Sequence, residues 1–233
     1  MKAFSKWAIP LVLLIAIAFY ATGFISIFNN RAKVESSKDN SYMILIDIDE
    51  FTLYLIDARS NRIVKSYPIA VGKPETPSPV GSFKIVHKDS WGGGFGTRWM
   101  GLNVPFGQYG IHGTNKPGSI GWAASHGCFR MRNADVEDLY SRVDLGTVVV
   151  IVGGPYGPLG HGYKEFGPGD RNSAIMQVQI RLKRLGYYKG PIDGIYEDDL
   201  KEALLRFKKD KKIPYNHFID EDTYKALNII PYE

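Results

Sequence analysis

The chain has 233 residues, of which 44% are apolar or aromatic and 23% charged, with a net charge of +5 at pH 7. That length allows one medium domain or two small ones, and the composition excludes a low-complexity or disordered chain. The charge suits an anionic partner such as a cell-wall polymer, a phospholipid surface or nucleic acid, and by itself selects none of them.

Lys2 and Lys6 precede an uncharged stretch from Trp7 to Phe28. As a helix rising about 1.5 Å per residue, this stretch spans the roughly 30 Å hydrocarbon core of a bilayer. Residues 1–28 are therefore expected to form a cytoplasmic tip and a transmembrane signal anchor, with the basic N-terminus inside. A cleaved signal peptide is the alternative, with Ala21-Thr22-Gly23 as its small-residue site, although such apolar regions run only about 7–15 residues. Either way the rest of the chain is expected outside the cytoplasm, beginning with a polar tether over 29–41.

Short strands follow. Tyr42–Asp47, Phe51–Asp57, Ile63–Val71 and Ser82–Val86 are rich in Ile, Val, Tyr and Phe, and turn residues such as Asp57-Ala58-Arg59-Ser60-Asn61 separate them. A further strand is expected to end at His112, and Thr147–Val152 returns as another. One helix is predicted over Asn133–Arg142, with Asn133 as its N-cap and acidic residues in its first turns. Residues 42–152 thus read as a β-rich domain, a sandwich or barrel rather than an α/β fold.

Residues 153–172 are about half Gly and Pro and read as a linker. Beyond it the apolar period changes to that of a helix. Ser173 is expected to cap a helix carrying Ile175, Val178, Ile180, Leu182 and Leu185, with Gly186 as its stop. A second helix from Asp198 would bury Leu200, Ala203, Leu204 and Phe207, and a third covers Asp220–Leu227. Residues 173–233 are therefore a small all-α three-helix domain.

The candidate chemistry centres on Ser125-His126-Gly127-Cys128, with His112 sixteen residues before the cysteine. Cys128 is the only cysteine, so it forms no internal disulfide and is poor material for a structural zinc site. It is either a buried apolar filler or a nucleophile. A thiol attacks as its thiolate and needs a base or cation at neutral pH. His126 shares a side with Cys128 if the chain is extended there, and His112 can be brought against the thiol by the flexible segment between them. Gly127 lets backbone amides approach a developing oxyanion, and Arg130 can hold a carboxylate in its fork. A zinc site from His112, His126 and Cys128 is the rival arrangement.

Ile111-His112-Gly113-Thr114, followed by Ser125-His126-Gly127-Cys128-Phe129-Arg130-Met131, resembles the signature of the L,D-transpeptidase catalytic domain. Thr76-Pro77-Ser78-Pro79-Val80-Gly81-Ser82-Phe83 is similar to that family's turn into a core strand. The resemblance implies a β-rich sandwich with the cysteine in a cleft beneath a mobile flap, which Trp91-Gly92-Gly93-Gly94-Phe95-Gly96 could supply. It implies Cys128 as the nucleophile forming a thioester with a peptidoglycan stem peptide, and His112 as its general base. His126 would support the intermediate, Arg130 would position substrate, and the Gly127 and Cys128 amides would face the oxyanion. Some members carry Ser or Asp after the base histidine; Gly113 here leaves only a backbone carbonyl to orient the imidazole. Stem peptides would be donor and acceptor, carbapenem-type inhibitors would acylate Cys128, and no cofactor, metal or nucleic acid is implied.

Gln179, Leu185-Gly186-Tyr187-Tyr188, Asp193-Gly194-Ile195-Tyr196 and Ala203-Leu204-Leu205-Arg206-Phe207 resemble the motif of a peptidoglycan-binding three-helix domain. Glu197 and Leu200 depart from it. Lys208, Lys209, Lys211 and Lys212 form a basic run that suits either an anionic wall polymer or a solvated helix end.

Overall fold

The computed structural model describes residues 41–153 and 162–229. The expected membrane anchor at Trp7–Phe28 and most of the tether lie outside them. Among the described residues no helix is long and apolar enough to cross a membrane.

The sheet domain is built from β1 (Tyr42–Asp47), β2 (Thr52–Asp57), β3 (Arg62–Pro68), β4 (Val71–Gly72), β5 (Gly81–Asp89), β6 (Trp99–Leu102), β7 (Tyr109–His112), β8 (Ala123–Ser125), β9 (Phe129–Arg130), α1 (Asn133–Arg142) and β10 (Val148–Val152). Eight strands form one sheet in the order β3-β2-β1-β10-β5-β6-β7-β9, and β4 pairs with β8 beside it. The expected sandwich is thus one continuous curled sheet. The reason lies in β5, which pairs β10 through Gly81–Lys84 and β6 through Ile85–Asp89. A register shift between Ile85 and His87 marks the change of partner, and such an irregularity bends a strand and increases its twist.

Alternation fixes which residues enter the core. Ile44 and Ile46 of β1 and Leu53 and Leu55 of β2 join Met100, Ile111 and Phe129 from the other end of the sheet in one buried cluster. Val136 and Leu139 of α1 complete it. The hairpin turns are closed by side chains, since the Asp57 carboxylate accepts from the amides of Arg59 and Ser60. The expected strand Ile63–Val71 divides into β3 and β4.

The helical module comprises α2 (Ser173–Arg184), α3 (Asp198–Lys211) and α4 (Glu221–Ala226). Ile175, Val178, Leu182, Leu200, Ala203, Leu204 and Phe207 form its core, as the helical period requires. Leu185, expected inside, is exposed. The expected linker is in part structural: Phe166 bridges Ile219 and Arg171 bridges Ile195, tying its second half into the module.

Two capping expectations are corrected. Asn172, not Ser173, caps α2 by accepting from the Ile175 amide. The Ser173 hydroxyl instead accepts from the Val80 amide of the sheet domain at 2.8 Å. Arg132 is the N-cap of α1 and makes no side-chain cap bond, because the Asn133 side chain is engaged away from the helix. Met176 of α2 belongs to the sheet-domain core, and Ile180 and Ile195 pack against it, so the module is seated on the sheet.

Candidate active site

The parallel pairing of β7 with β9 sets Ile111 opposite Phe129 and His112 opposite Arg130. Ile111 and Phe129 are fully buried in the core. Their sequence neighbours His112 and Arg130 therefore share the other face, and Cys128, one residue before β9, lies with His112 within the field of the Arg130 charge.

His112 is only 3% exposed. The ring of Trp99, its partner across β6 and β7, stacks on it at 5.6 Å, and Phe95 meets it edge-on at 4.9 Å. Trp91 stacks on Trp99 in turn at 4.7 Å, so the glycine-rich segment read as a flap sets Phe95 against the imidazole and Trp91 against Trp99. Its Gly93–Phe95 portion is a single turn of 3-10 helix.

The His112 Nδ1 lies 2.5 Å from the Gly113 carbonyl oxygen. A carbonyl only accepts, so Nδ1 carries the hydrogen and Nε2 is left as the basic nitrogen. Burial lowers the His112 pKa to about 4; the Gly113 and Phe95 backbone oppose this, and the Arg130 charge adds to it. The imidazole is therefore neutral at pH 7. The thiol of half-buried Cys128 is pushed up by the same burial, against hydrogen bonding from the Gly110 backbone and the attraction of Arg130. Imidazole and thiol both rest neutral, with Arg130 favouring the thiolate and disfavouring the imidazolium.

Ser125, almost fully buried, folds the cysteine loop on itself. Its hydroxyl donates to the Cys128 carbonyl at 2.6 Å and accepts from the Gly127 amide at 3.0 Å. The Gly127 amide is thereby committed and does not face outward as an oxyanion donor, contrary to the sequence expectation. Gly127 adopts φ 111°, so the chain is not extended here. His126 is exposed while Cys128 is half-buried, and the same-side placement expected of an extended segment does not arise. Ser78 donates to the Gly127 carbonyl at 2.9 Å, Thr76 to the Ser125 carbonyl at 3.3 Å. The turn before β5 is thus bonded to the cysteine loop. Arg130 donates through Nη1 to the Ala124 carbonyl at 3.1 Å, which ties the loop's start to β9.

The Tyr109 ring covers Gly127 so closely that a Cβ there would lie 2.6 Å from its Cε1. Burial, then the Cys128 charge, raises the Tyr109 phenol. Sequence reasoning singled out neither Tyr109, Ser78 nor Trp99, and used Ser125 only as a motif letter. The strand-parity argument could have found Trp99, had β6 been recognised. Among the described residues no group of three or more His, Cys, Asp or Glu is placed to hold a metal ion.

A buried neutral histidine, a half-buried thiol and an arginine on one edge of a curled sheet define a candidate acyl-transfer site. Residues 41–151 match the family described as L,D-transpeptidase catalytic domain, and residues 171–227 match the family described as "Putative peptidoglycan binding domain".

Among relatives, the "Putative L,D-transpeptidase YkuD" of Bacillus subtilis is 49% identical over 111 residues, covering 47% of this chain and 65% of that one. The "Putative L,D-transpeptidase YqjB" of the same organism is 34% identical, covering 39% and 61%. The chain thus matches slightly under two thirds of the length of these relatives. A solved L,D-transpeptidase from Mycobacterium smegmatis overlaps 48% of this chain and 58% of its own, with 21% identity and a TM-score of 0.41.

Proposed function

We propose that the chain is a peptidoglycan L,D-transpeptidase that crosslinks stem peptides through a thioester on Cys128. The observation that carries this reading is that His112 and Arg130 share a face beside Cys128, with the Arg130 charge acting on both, Nδ1 of His112 bonded to Gly113 and Nε2 left basic.

In this mechanism Sγ of Cys128 attacks the carbonyl carbon preceding the terminal D-residue of a donor stem, while Nε2 of His112 takes the thiol proton. Because thiol and imidazole start neutral, charge separates only during attack, where the Arg130 guanidinium favours the sulfur anion. With the Gly127 amide engaged, the Cys128 amide is assigned as the backbone donor to the oxyanion. The carbon–nitrogen bond then breaks, and the leaving amine departs with the proton held by His112. The side-chain amine of a second stem attacks the thioester, gives its proton to Nε2, and the thiol is regenerated. Every atom comes from donor, acceptor and enzyme.

The helical module would hold the wall polymer near this site, and the stretch Trp7–Phe28 would anchor the chain with the site outside the cytoplasmic membrane. His126, exposed beside the loop, would meet the substrate or intermediate rather than the resting thiol.

The test uses the full chain in detergent, incubated with tetrapeptide stems and followed by mass spectrometry. Crosslinked dimers support transpeptidation. Trimmed monomers alone would make water the acceptor and the protein an L,D-carboxypeptidase or endopeptidase. A chain whose mass stays unchanged with stems and with a carbapenem would be a wall-binding protein with an incidental thiol.

A further inference from the structure

Two separate segments hold the His112 ring. The first, Phe95–Thr97, lays the Phe95 ring against it. The second, Gly113–Thr114, supplies the carbonyl bonded to Nδ1. One side chain joins them: Oδ1 of Asn133 accepts from the Thr97 amide at 3.3 Å and from the Thr114 amide at 3.2 Å. Just beyond the first segment, the Gly113 amide also donates to the Arg98 carbonyl.

The packing around this oxygen admits no further atoms. A Cβ on Gly96 would lie 2.2 Å from Oδ1, and one on Gly113 would lie 2.4 Å from it. Any residue larger than glycine at 113 would therefore expel the Asn133 side chain, which explains why position 113 offers its backbone and nothing else. Asn133 also spends this side chain away from its own helix, where alanine has the higher intrinsic propensity.

We propose that Asn133 is a positioning residue for the general base. By clamping Phe95–Thr97 to Gly113–Thr114 it fixes the Gly113 carbonyl under Nδ1, and so keeps His112 in the tautomer whose Nε2 is basic. An outer group that fixes ring orientation and tautomer is a general requirement for a working histidine. The proposal rests on the reading of His112 as the base. Both of its bonds run to the side-chain oxygen alone, so a carboxylate at 133 preserves them, and its charge is tolerated in the first turn of α1.

The experiment measures carbapenem acylation of Cys128 in the full chain by time-resolved mass spectrometry, together with the ¹⁵N signals of His112. For Asn133→Ala the acylation rate constant is expected to fall roughly ten- to hundred-fold, the scale of losing a group that orients a functional histidine. The concentration dependence should change far less, and the spectrum should lose its single Nδ1–H tautomer. Asn133→Asp should restore rate and tautomer together. Gly113→Ala, whose Cβ would push out the Asn133 oxygen and crowd the Thr97 amide while keeping Asn133 in the sequence, should reproduce the loss if Asn133→Ala does not fold.

An Asn133→Ala chain that acylates at the native rate, or that loses rate with its tautomer intact, would overturn the proposal, as would failure of Asn133→Asp to recover either signal. His112→Ala tests the base itself: native acylation there removes the base reading. The tautomer signal of Asn133→Ala still reports on the clamp in that case.

Discussion

The helical module and the sheet edge bury polar side chains to opposite ends. In the module, Lys208 is completely buried, yet Nζ reaches Asn216 Oδ1 at 2.7 Å and Asp220 Oδ2 at 2.8 Å. Burial alone would raise the Asp220 carboxyl, but bonds from Lys208, Thr223 and Asn216 outweigh it and hold it well below the carboxylate range. Gln179, equally buried, spends its amide on the Asp193, Gly194 and Ile195 segment. At the sheet edge, burial instead prevails over the partners of His112 and Cys128, and both are driven to their neutral forms. Charge is neutralised by a partner in one region and refused in the other. The first arrangement stabilises a fold; the second leaves imidazole and thiol neutral, the state from which the proposed proton exchange starts.

The largest expected effects break one side of this comparison at a time. Cys128→Ala abolishes acylation with melting temperature little changed, and His112→Ala lowers the rate by roughly a hundredfold or more while also lowering the melting temperature, because it empties the space between Trp99 and Phe95; steady acylation kinetics and a thermal melt check both. Lys208→Ala should do the reverse. It removes the cation that Asp220 and Asn216 share, leaving Asp220 only its bonds from Asn216 and Thr223 and costing about 3 kcal/mol, while acylation measured below the melting point stays near native.

Acid separates the regions by sign. Folded His112 titrates near 4 and unfolded histidine near 6.5, so between those values the unfolded chain takes up a proton that the folded one refuses. Stability should fall as pH drops through that window, by up to roughly 3 kcal/mol, and His112→Gln should flatten the slope. The Lys208–Asp220 contribution is present above the ordinary aspartate value and is lost only as pH falls further. On the alkaline side, iodoacetamide alkylation of Cys128 should keep climbing past the ordinary thiol range near 8.5, because the resting thiol is neutral. The smallest expected effect is at the seam between the regions. Ser173→Ala removes the acceptor of the Val80 amide and should cost about 1 kcal/mol, visible as a slightly lower melting temperature.

How much of this was legible in the chain depended on whether a feature is local. Strands β1 and β2 show their alternation directly, and the helical period of α2 and α3 picks out Val178, Leu182, Leu200 and Phe207 correctly. His112 and Cys128 stood out because their motifs are contiguous. Strand β6, Trp99–Leu102, was not foreseen because all four of its residues are buried and give no alternation. The Asn133 and Ser173 side chains were misread as helix caps, since cap chemistry is local and their real partners, Thr97, Thr114 and Val80, are distant in sequence. The single curled sheet was hidden for a related reason. The exchange of partners along β5 is a long-range pairing that no window of sequence contains.

The central claim is that Cys128 becomes covalently acylated by a peptidoglycan stem with neutral His112 as its base. The most direct measurement is intact-protein mass spectrometry of the full chain quenched in acid during turnover of a tetrapeptide donor. The account predicts a mass increase equal to the stem without its terminal D-residue, located on the peptide containing Cys128 and absent from Cys128→Ala. Turnover of the donor with no such adduct, or with full activity in Cys128→Ala, would contradict it.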